Sequence, residues 1–177
     1  MQLTDSLKTL IRDVPDFPKP GILFKDITPL LEKPEIVKEV VRALAVCYTN
    51  KKVDAVAAIE ARGFLFGFLL AQELNVPFIP IRKEGKLPYK KISQEYALEY
   101  GTATIEMHED ALEKNWQVVI HDDLLATGGT AKAAGQLIQK LGGTVLGFSF
   151  IVNLEFLEGR RLLETTYNCK VDYLIGY

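Results

Sequence analysis

WQVVIHDDLLATGGTAKAAG, residues 116–135, contains one complete strand–loop–helix unit. Val118, Val119 and Ile120 form an unbroken apolar run, which is typical of a strand buried on both faces of a parallel sheet. A helix is predicted from Ala131 to Leu141, where apolar residues recur at helical spacing. Because ligands bind at the carboxyl ends of strands in open α/β sheets, we expect a binding site in the connecting loop.

The loop combines an anion-binding turn with two carboxylates. The turn consists of Ala126, Thr127, Gly128, Gly129 and Thr130. Glycines and hydroxyls at a helix start can direct several unpaired N–H groups at one phosphate. Asp122 and Asp123 would accept hydrogen bonds from hydroxyls or attract a divalent cation. The arrangement predicts a ribose 5-phosphate site, although a plain Gly-Gly turn beside a solvated, helix-capping Asp-Asp pair is the alternative. Neither a Walker loop nor a dinucleotide fingerprint occurs.

Bulk composition indicates one ordinary globular domain. The chain has 177 residues, of which 48% are hydrophobic and 25% charged, and its formal net charge is −2. We therefore expect no nucleic-acid partner. The start, MQLTD, has no basic or apolar signal region, and the apolar run from Phe64 to Ala71 is too short to span a bilayer, so we expect no membrane partner. Cys47 and Cys169 are expected to be free thiols of a cytoplasmic protein.

Strands and helices alternate along the rest of the chain, which predicts a doubly wound parallel sheet. Further helices are expected from Leu3 to Val14, Pro34 to Tyr48, Phe64 to Leu74 and Phe156 to Leu163. Further strands are expected at 53–59, 77–82, 144–152 and 171–175, with a long hairpin at 89–107.

VVIHDDLLATGGT, residues 118–130, resembles the phosphoribosyl pyrophosphate (PRPP) signature of the type I phosphoribosyltransferases, and its DDLLATGGT form is similar to that of the adenine phosphoribosyltransferases. The resemblance extends from Pro15 to about Leu163. It implies the α/β type I phosphoribosyltransferase fold, in which helices flank a central, mostly parallel five-stranded sheet. It also implies a single domain, 1–177, with an N-terminal hood at 15–30 and a flexible hairpin lid at 83–107. His121 departs from the family's usual apolar residue, and we interpret it as structural.

The segment PDFPKPGILFKDI, residues 15–27, resembles the hood that covers the base in this family. From pattern alone it would be a surface arm that packs Phe17 and Phe24 onto the body. The resemblance implies that Phe24 stacks on the purine, that the main chain of Leu23 and Lys25 reads its edge, and that Leu124 also contacts it. A 6-oxo purine would reverse the donor and acceptor, at a cost of roughly 1–3 kcal/mol per unpaired group.

Three further segments are similar to the family's catalytic loops: EARGF at 60–64, RKEGKLP at 82–88 and LEYGT at 98–102. By pattern, Arg62 is equally suited to a structural pair with Glu60, and a basic loop is usually only solvated. The resemblance implies that PRPP contacts come from Arg62, Arg82, Lys83, Lys86 and Tyr100. It makes Glu99, Arg62 and Lys86 the catalytic residues, with a proton held by Glu99 near N7 of the purine, and it implies that Arg82 acts across a dimer interface.

The implied reaction transfers the 5-phosphoribosyl group of PRPP to adenine, giving AMP and pyrophosphate. Mg²⁺ would be the cofactor, held by PRPP rather than directly by protein ligands. A homodimer is implied by the family alone. The competing functions are transfer to a 6-oxo purine, a non-catalytic PRPP-sensing regulator, and a receiver-like signalling domain. The receiver-like domain would require its acidic pair on the first strand of the sheet.

Overall fold

A seven-stranded, mostly parallel sheet forms the centre of the protein. The structure is a computed structural model that describes residues 3–97 and 101–177. The strands within these ranges are Arg12–Pro15 (β1), Leu23–Asp26 (β2), Ala55–Ile59 (β3), Phe78–Lys83 (β4), Lys91–Ala97 (β5), Thr102–His108 (β6), Gln117–Leu125 (β7), Thr144–Asn153 (β8) and Lys170–Gly176 (β9). The sheet order is β5-β6-β4-β3-β7-β8-β9. Five neighbouring strands of this sheet are mutually parallel, in the order β4-β3-β7-β8-β9, which confirms the predicted five-stranded core. The antiparallel β5–β6 hairpin extends the sheet beyond β4.

Helices cover both faces of the sheet, as the alternation of elements predicted. They are Leu3–Leu10 (α1), Thr28–Leu31 (α2), Pro34–Val46 (α3), Arg62–Leu74 (α4), Gly129–Lys140 (α5) and Gly159–Tyr167 (α6). Side chains alternate along a strand, so Val119 of β7 packs with α1–α4, whereas Val118 and Ile120 pack with α5 and α6. Among the described residues, no helix combines the length and apolarity needed to cross a bilayer.

The N-terminal segment corrects the sequence prediction. The first helix ends at Leu10 rather than Val14, because Arg12–Pro15 pairs antiparallel with Leu23–Asp26. Helical spacing continues through Ile11 and Val14, but the paired strand supplies backbone hydrogen bonds that the helix would otherwise make. The last helix likewise begins at Gly159 rather than Phe156, after a short 3-10 helix at Glu155–Leu157.

The stem of the β5–β6 hairpin belongs to the sheet. Every residue from Lys91 to Ala97 has a partner on β6, and Ile105 and Met107 are buried in the core. The hairpin itself is therefore confirmed. The flexible lid at 83–107 that the resemblance implies stays a prediction.

Candidate active site

The turn between β7 and α5 lies at the carboxyl end of the central strand. Gly128 has φ +83°, a left-handed conformation that favours glycine, and α5 begins at Gly129. The four N-terminal N–H groups of a helix lack partners within it, so this turn can bind an anion. Residues 126–130 and Asp122 line one small cavity of about 90 Å³. The turn and the acidic residue thus face the same space, as the ribose 5-phosphate prediction requires.

Asp122 and Asp123 form a tightly packed pair at the end of β7. Asp123 is only 3% exposed, and its backbone N–H donates to Asp122 Oδ1 over 2.9 Å. Burial, and then the charge of Asp123, raises the pKa of Asp122 well above its ordinary value. Burial also raises the pKa of Asp123, although Arg62 acts against the shift. Two adjacent, poorly solvated carboxylates favour a hydroxyl-bearing or cationic ligand.

Arg62 joins the acidic pair to the N-terminal hood. Its Nε lies 3.0 Å from Asp123 Oδ2, and its guanidinium carbon lies 4.6 Å from the centre of the Phe24 ring. Its Nη1 donates to the Lys25 carbonyl over 3.4 Å. The alternative pairing of Arg62 with Glu60 is therefore wrong. Arg62 instead connects the two regions expected to hold the sugar and the base.

The hood is fixed to the body through the side chain of Lys25. The Lys25 Nζ lies 2.6 Å from Asp13 Oδ1 and 3.7 Å from the centre of the Tyr177 ring. Phe17 packs edge-on against Phe24, with ring centres 5.0 Å apart, rather than onto the body. Leu23 is half exposed. The surface-arm interpretation thus holds in part: Phe24 contacts Arg62 of α4, Phe17 reaches the body only through Phe24, and Lys25 adds a further contact with Tyr177.

The cations of the basic loop at 82–88 differ in their surroundings. The Arg82 guanidinium binds Glu60 through Nε and Nη2, over 3.2 and 3.3 Å, and donates from Nη1 to the Lys86 carbonyl over 3.0 Å. Lys83 and Lys86 are exposed. Arg82 therefore shapes the loop, while the two lysine side chains face solvent.

A larger groove of about 520 Å³ lies at the opposite, amino end of β3, between the ends of α3 and α4. Arg42, Lys51 and Glu73 supply its charged groups. It contains neither a glycine-rich turn nor a carboxylate pair. The smaller cavity, which is lined by the glycine-rich turn and by Asp122 of the pair, is therefore the candidate site for a ribose 5-phosphate.

Comparison with known proteins places this geometry in a family. Residues 26–169 match the model of the phosphoribosyl transferase domain. Adenine phosphoribosyltransferase of Cytophaga hutchinsonii is 50% identical over 175 residues, covering 99% of this chain and 96% of the relative. The chain belongs to the adenine phosphoribosyltransferase family. The crystal structure of the Thermoanaerobacter pseudethanolicus member superposes with a TM-score of 0.95 at 47% identity, covering 99% of this chain and all of that one.

A second solved family member carries ligands. The Saccharomyces cerevisiae adenine phosphoribosyltransferase, complexed with an imino-altritol bisphosphate and adenine, has a TM-score of 0.90 at 36% identity. The superposition covers 98% of both chains. The similarity therefore includes a structure in which a base and a bisphosphate are bound together.

His121 is a buried residue of the sheet in this family member. It is 0% exposed, and its Nδ1 lies 3.2 Å from Ser149 Oγ on the neighbouring strand. Burial lowers the pKa of His121 to about 3, so the ring is neutral at physiological pH. Its side chain points away from Asp122, on the opposite face of the strand. This geometry supports the structural interpretation.

The structure also reveals site residues that the motifs did not single out. A Cβ on Gly63 would lie 2.8 Å from Asp122 Oδ1, so only glycine lets α4 approach the acidic pair. A Cβ on Gly159 would lie 2.1 Å from the Ala126 carbonyl oxygen. Gly63 is adjacent to Arg62 and could have been suspected from that motif. Gly159 is far from the turn in sequence, and no local signal identifies it.

Two predicted residues, Glu99 and Tyr100, lie outside the described residues. Just before them, the Ala97 carbonyl oxygen lies 3.6 Å from the position of a Cβ built on Gly129. Leu124 lines the same cavity as Asp122 and is half-buried. The end of β5 and the anion-binding turn are therefore neighbours.

Proposed function

We propose that this family member transfers the 5-phosphoribosyl group of PRPP to adenine, producing AMP and pyrophosphate in purine salvage. The observation that carries the proposal is the shared cavity of Asp122 and the glycine turn at the start of α5. The named activity of relatives at about half identity over nearly the whole chain supports the same reaction.

The turn would bind the 5-phosphate through the N–H groups and hydroxyls of residues 126–130. Asp122 and Asp123 would accept hydrogen bonds from the ribose 2- and 3-hydroxyls. Their negative charge would also stabilise the positive ribosyl ring that develops as the bond to pyrophosphate breaks. The raised carboxylate pKa values support this role, because a cationic transition state relieves the cost of ionising both groups.

The leaving pyrophosphate would bind to Arg62, Lys83 and Lys86. Arg82 would contribute by holding the loop through Glu60 and, in a dimer, by reaching the neighbouring subunit. Mg²⁺, bound mainly by PRPP oxygens and water, would neutralise part of the pyrophosphate charge. Asp123, which is 3% exposed, would favour a nearby divalent cation through its charge.

Adenine would bind under the hood against Phe24 and Leu124. The Arg62 guanidinium lies over the Phe24 ring, so a stacked base would slide between them or replace the guanidinium there. The main chain of Leu23 and Lys25 would read the 6-amino group and N1. Two alternatives to this function are transfer to a 6-oxo purine and PRPP sensing without catalysis.

The test is product formation from PRPP and Mg²⁺ with a panel of free bases. We expect AMP and pyrophosphate from adenine, with hypoxanthine and guanine at least about two orders of magnitude poorer, because two buried groups would lose their partners. Comparable turnover of hypoxanthine would contradict the adenine assignment. Tight PRPP binding without turnover of any base would favour the sensing alternative.

Glu99 would hold a proton near N7 of the purine when the hairpin lid, 83–107, closes over the site. Tyr100 would contact PRPP in the same closed state. We expect Glu99→Ala to lower kcat far more than it weakens PRPP binding, measured by steady-state kinetics and by titration. An unchanged kcat would show that Glu99 does not contribute to catalysis.

A homodimer is supported by an exposed apolar surface on α4. Leu65, Phe68 and Leu69 are 42%, 50% and 37% exposed, and a contiguous patch of this kind marks an interaction surface. A second copy of the chain would cover it. Sedimentation should give a dimer that Phe68→Lys dissociates, and a wild-type monomer would contradict the proposal. We place the protein in the cytoplasm, where its substrates would be.

A further inference from the structure

We infer that Glu106 and Lys91 form a positioning pair for the pyrophosphate subsite: from the hairpin stem, they fix the backbone of the basic loop that would bind the leaving group. The inference rests on the proposed function insofar as that loop is the pyrophosphate site. Neither residue is part of the loop, and neither side chain is proposed to touch substrate.

Glu106 is a buried carboxylate directed at the loop. The residue is 4% exposed, and its Oε2 accepts the backbone N–H of Gly85 over 3.0 Å. The Lys91 Nζ donates to the same oxygen over 2.9 Å. A buried carboxylate is costly unless charged and hydrogen-bonding groups satisfy it, so these contacts define a specific structure.

Lys91 holds the other end of the loop. Its Nζ also donates to the Leu87 carbonyl over 3.3 Å, and Leu87 is itself buried. Because Gly85 and Leu87 flank Lys86, the pair fixes the backbone on both sides of that exposed cation. Gly85 has φ +77°, so the turn it forms is sharp and depends on such contacts.

The charge distribution of the loop explains why such support is needed. Arg82, Lys83 and Lys86 lie within five residues, and bringing these cations together costs electrostatic energy. At one end of the loop, Glu60 accepts hydrogen bonds from the Arg82 guanidinium and from the Lys83 backbone N–H. Glu106 supplies the second negative charge beneath the loop. Lys83 and Lys86 then remain exposed for an anion.

The pair lies at the end of the hairpin stem that is remote from the phosphate turn. Lys91 and Glu106 lie on β5 and β6, and the far end of β5, at Ala97, adjoins Gly129 of the phosphate turn. The hairpin stem therefore spans from the basic loop to the turn. A change in the pair should alter pyrophosphate binding while leaving the turn intact.

The experiment measures binding of Mg²⁺-pyrophosphate and of AMP to the full chain by calorimetry. Glu106→Gln keeps the shape and an acceptor for Gly85, but it removes the charge that holds Lys91. We expect pyrophosphate to bind about 10- to 100-fold more weakly, since small displacements of binding groups have effects of this order. AMP affinity should change by less than about twofold, because its phosphate would use the turn.

The matched control is Glu109→Gln. Glu109 pairs with Lys90 at 3.7 Å beside the same two strands, but these side chains are 46% and 70% exposed, and neither forms a hydrogen bond or ion pair with the described residues of the loop. Its pyrophosphate affinity should equal that of the wild type. If Glu106→Gln does not fold, Lys91→Met carries the test, because it keeps the aliphatic stem and should weaken pyrophosphate binding in the same direction.

Unchanged pyrophosphate affinity in folded Glu106→Gln and Lys91→Met would overturn the inference. An equal loss of pyrophosphate and AMP binding would also overturn it, by reducing the pair to general stability. Failure of the proposed function looks different: the wild type would then form no AMP from adenine and PRPP. A wild type that makes AMP while both variants bind pyrophosphate normally would refute only the positioning pair.

Discussion

Replacing Gly159 with alanine should damage the phosphate site, although Gly159 lies more than 30 residues from Ala126 and Gly128 along the chain. The α6 N-terminus packs directly on the phosphate turn: a Cβ on Gly159 would lie 2.1 Å from the Ala126 carbonyl oxygen and 3.0 Å from the Gly128 nitrogen. Real Cβ atoms essentially never approach closer than 3.0 Å, so the turn or the helix must move by at least the missing 0.9 Å. Both contacts are backbone, so no side chain can rotate to make room.

The size of the effect follows from that displacement. A shift of about 1 Å in a binding group can cost about 100-fold in rate, so kcat/KM for PRPP should fall by roughly that factor, mostly through KM. Overpacking should also lower the free energy of unfolding by about 1–3 kcal/mol. The KM for adenine, measured at saturating PRPP, should change little, because Phe24 and Lys25 of the hood contact Arg62 and Tyr177, which belong to other elements.

Gly135→Ala is the matched control for Gly159→Ala. A Cβ there would lie 2.4 Å from Tyr167 Cζ, in the packing of α5 against α6 and away from the turn. It should lower the melting temperature but leave the KM for PRPP within about twofold, since the clash is with the end of a side chain. A folded Gly159→Ala protein with wild-type KM for PRPP would refute the argument, as would an equal rise in KM for Gly135→Ala.

Three further predictions concern ionisable side chains. Asp122→Asn should weaken PRPP binding yet stabilise the fold at pH 8 by about 1 kcal/mol, or about 2–4 °C. Because the folded-state pKa of Asp122 is raised, its ionisation destabilises the protein as pH rises, so thermal scans of the two proteins should converge near pH 4. Because the pKa of His121 is about 3 in the folded protein, the free energy of unfolding should fall by roughly 1.4 kcal/mol per pH unit below 6.5. Urea unfolding of His121→Leu should lack this loss. An equally steep loss of stability at acidic pH in His121→Leu would contradict the assignment. Lys25→Met should raise the KM for adenine about 10-fold without changing that for PRPP, since the hood loses its contact with Asp13; the exposed Lys38→Met is the control, and equal kinetics would refute the anchoring role.

The sequence predicts those parts of the site that are contiguous along the chain. Asp122 and Gly128 lie within one strand–loop–helix unit, so their proximity follows from local structure alone. The parallel order around β7 follows from the alternation of strands and helices. His121 is interpreted as structural because it departs from the apolar residue that is usual in the family, and its burial against Ser149 supports that interpretation.

The remaining contacts depend on how distant segments pack, which no local pattern encodes. Glu60 binds Arg82 rather than Arg62 because the parallel register of β3 and β4 brings the ends of these strands together. The end of the first helix depends on pairing between Arg12–Pro15 and Leu23–Asp26, and the four-residue strand has no recognisable alternation. Gly159 has the same limitation, because its role appears only when α6 is placed on the turn.

The central claim is that one turn binds the phosphate of a nucleotide while the adjacent carboxylates bind its ribose. Titration of isotope-labelled protein with AMP, followed by amide NMR, tests it directly. The account predicts that the largest shifts occur at the N–H groups of residues 127–130. In the protein carrying Asp122→Asn and Asp123→Asn, AMP should shift the same amides but bind at least about 10-fold more weakly, through loss of hydrogen bonds to charged groups. The account would be contradicted if AMP bound without shifting these amide signals, or if its affinity were unchanged when both carboxylates are replaced.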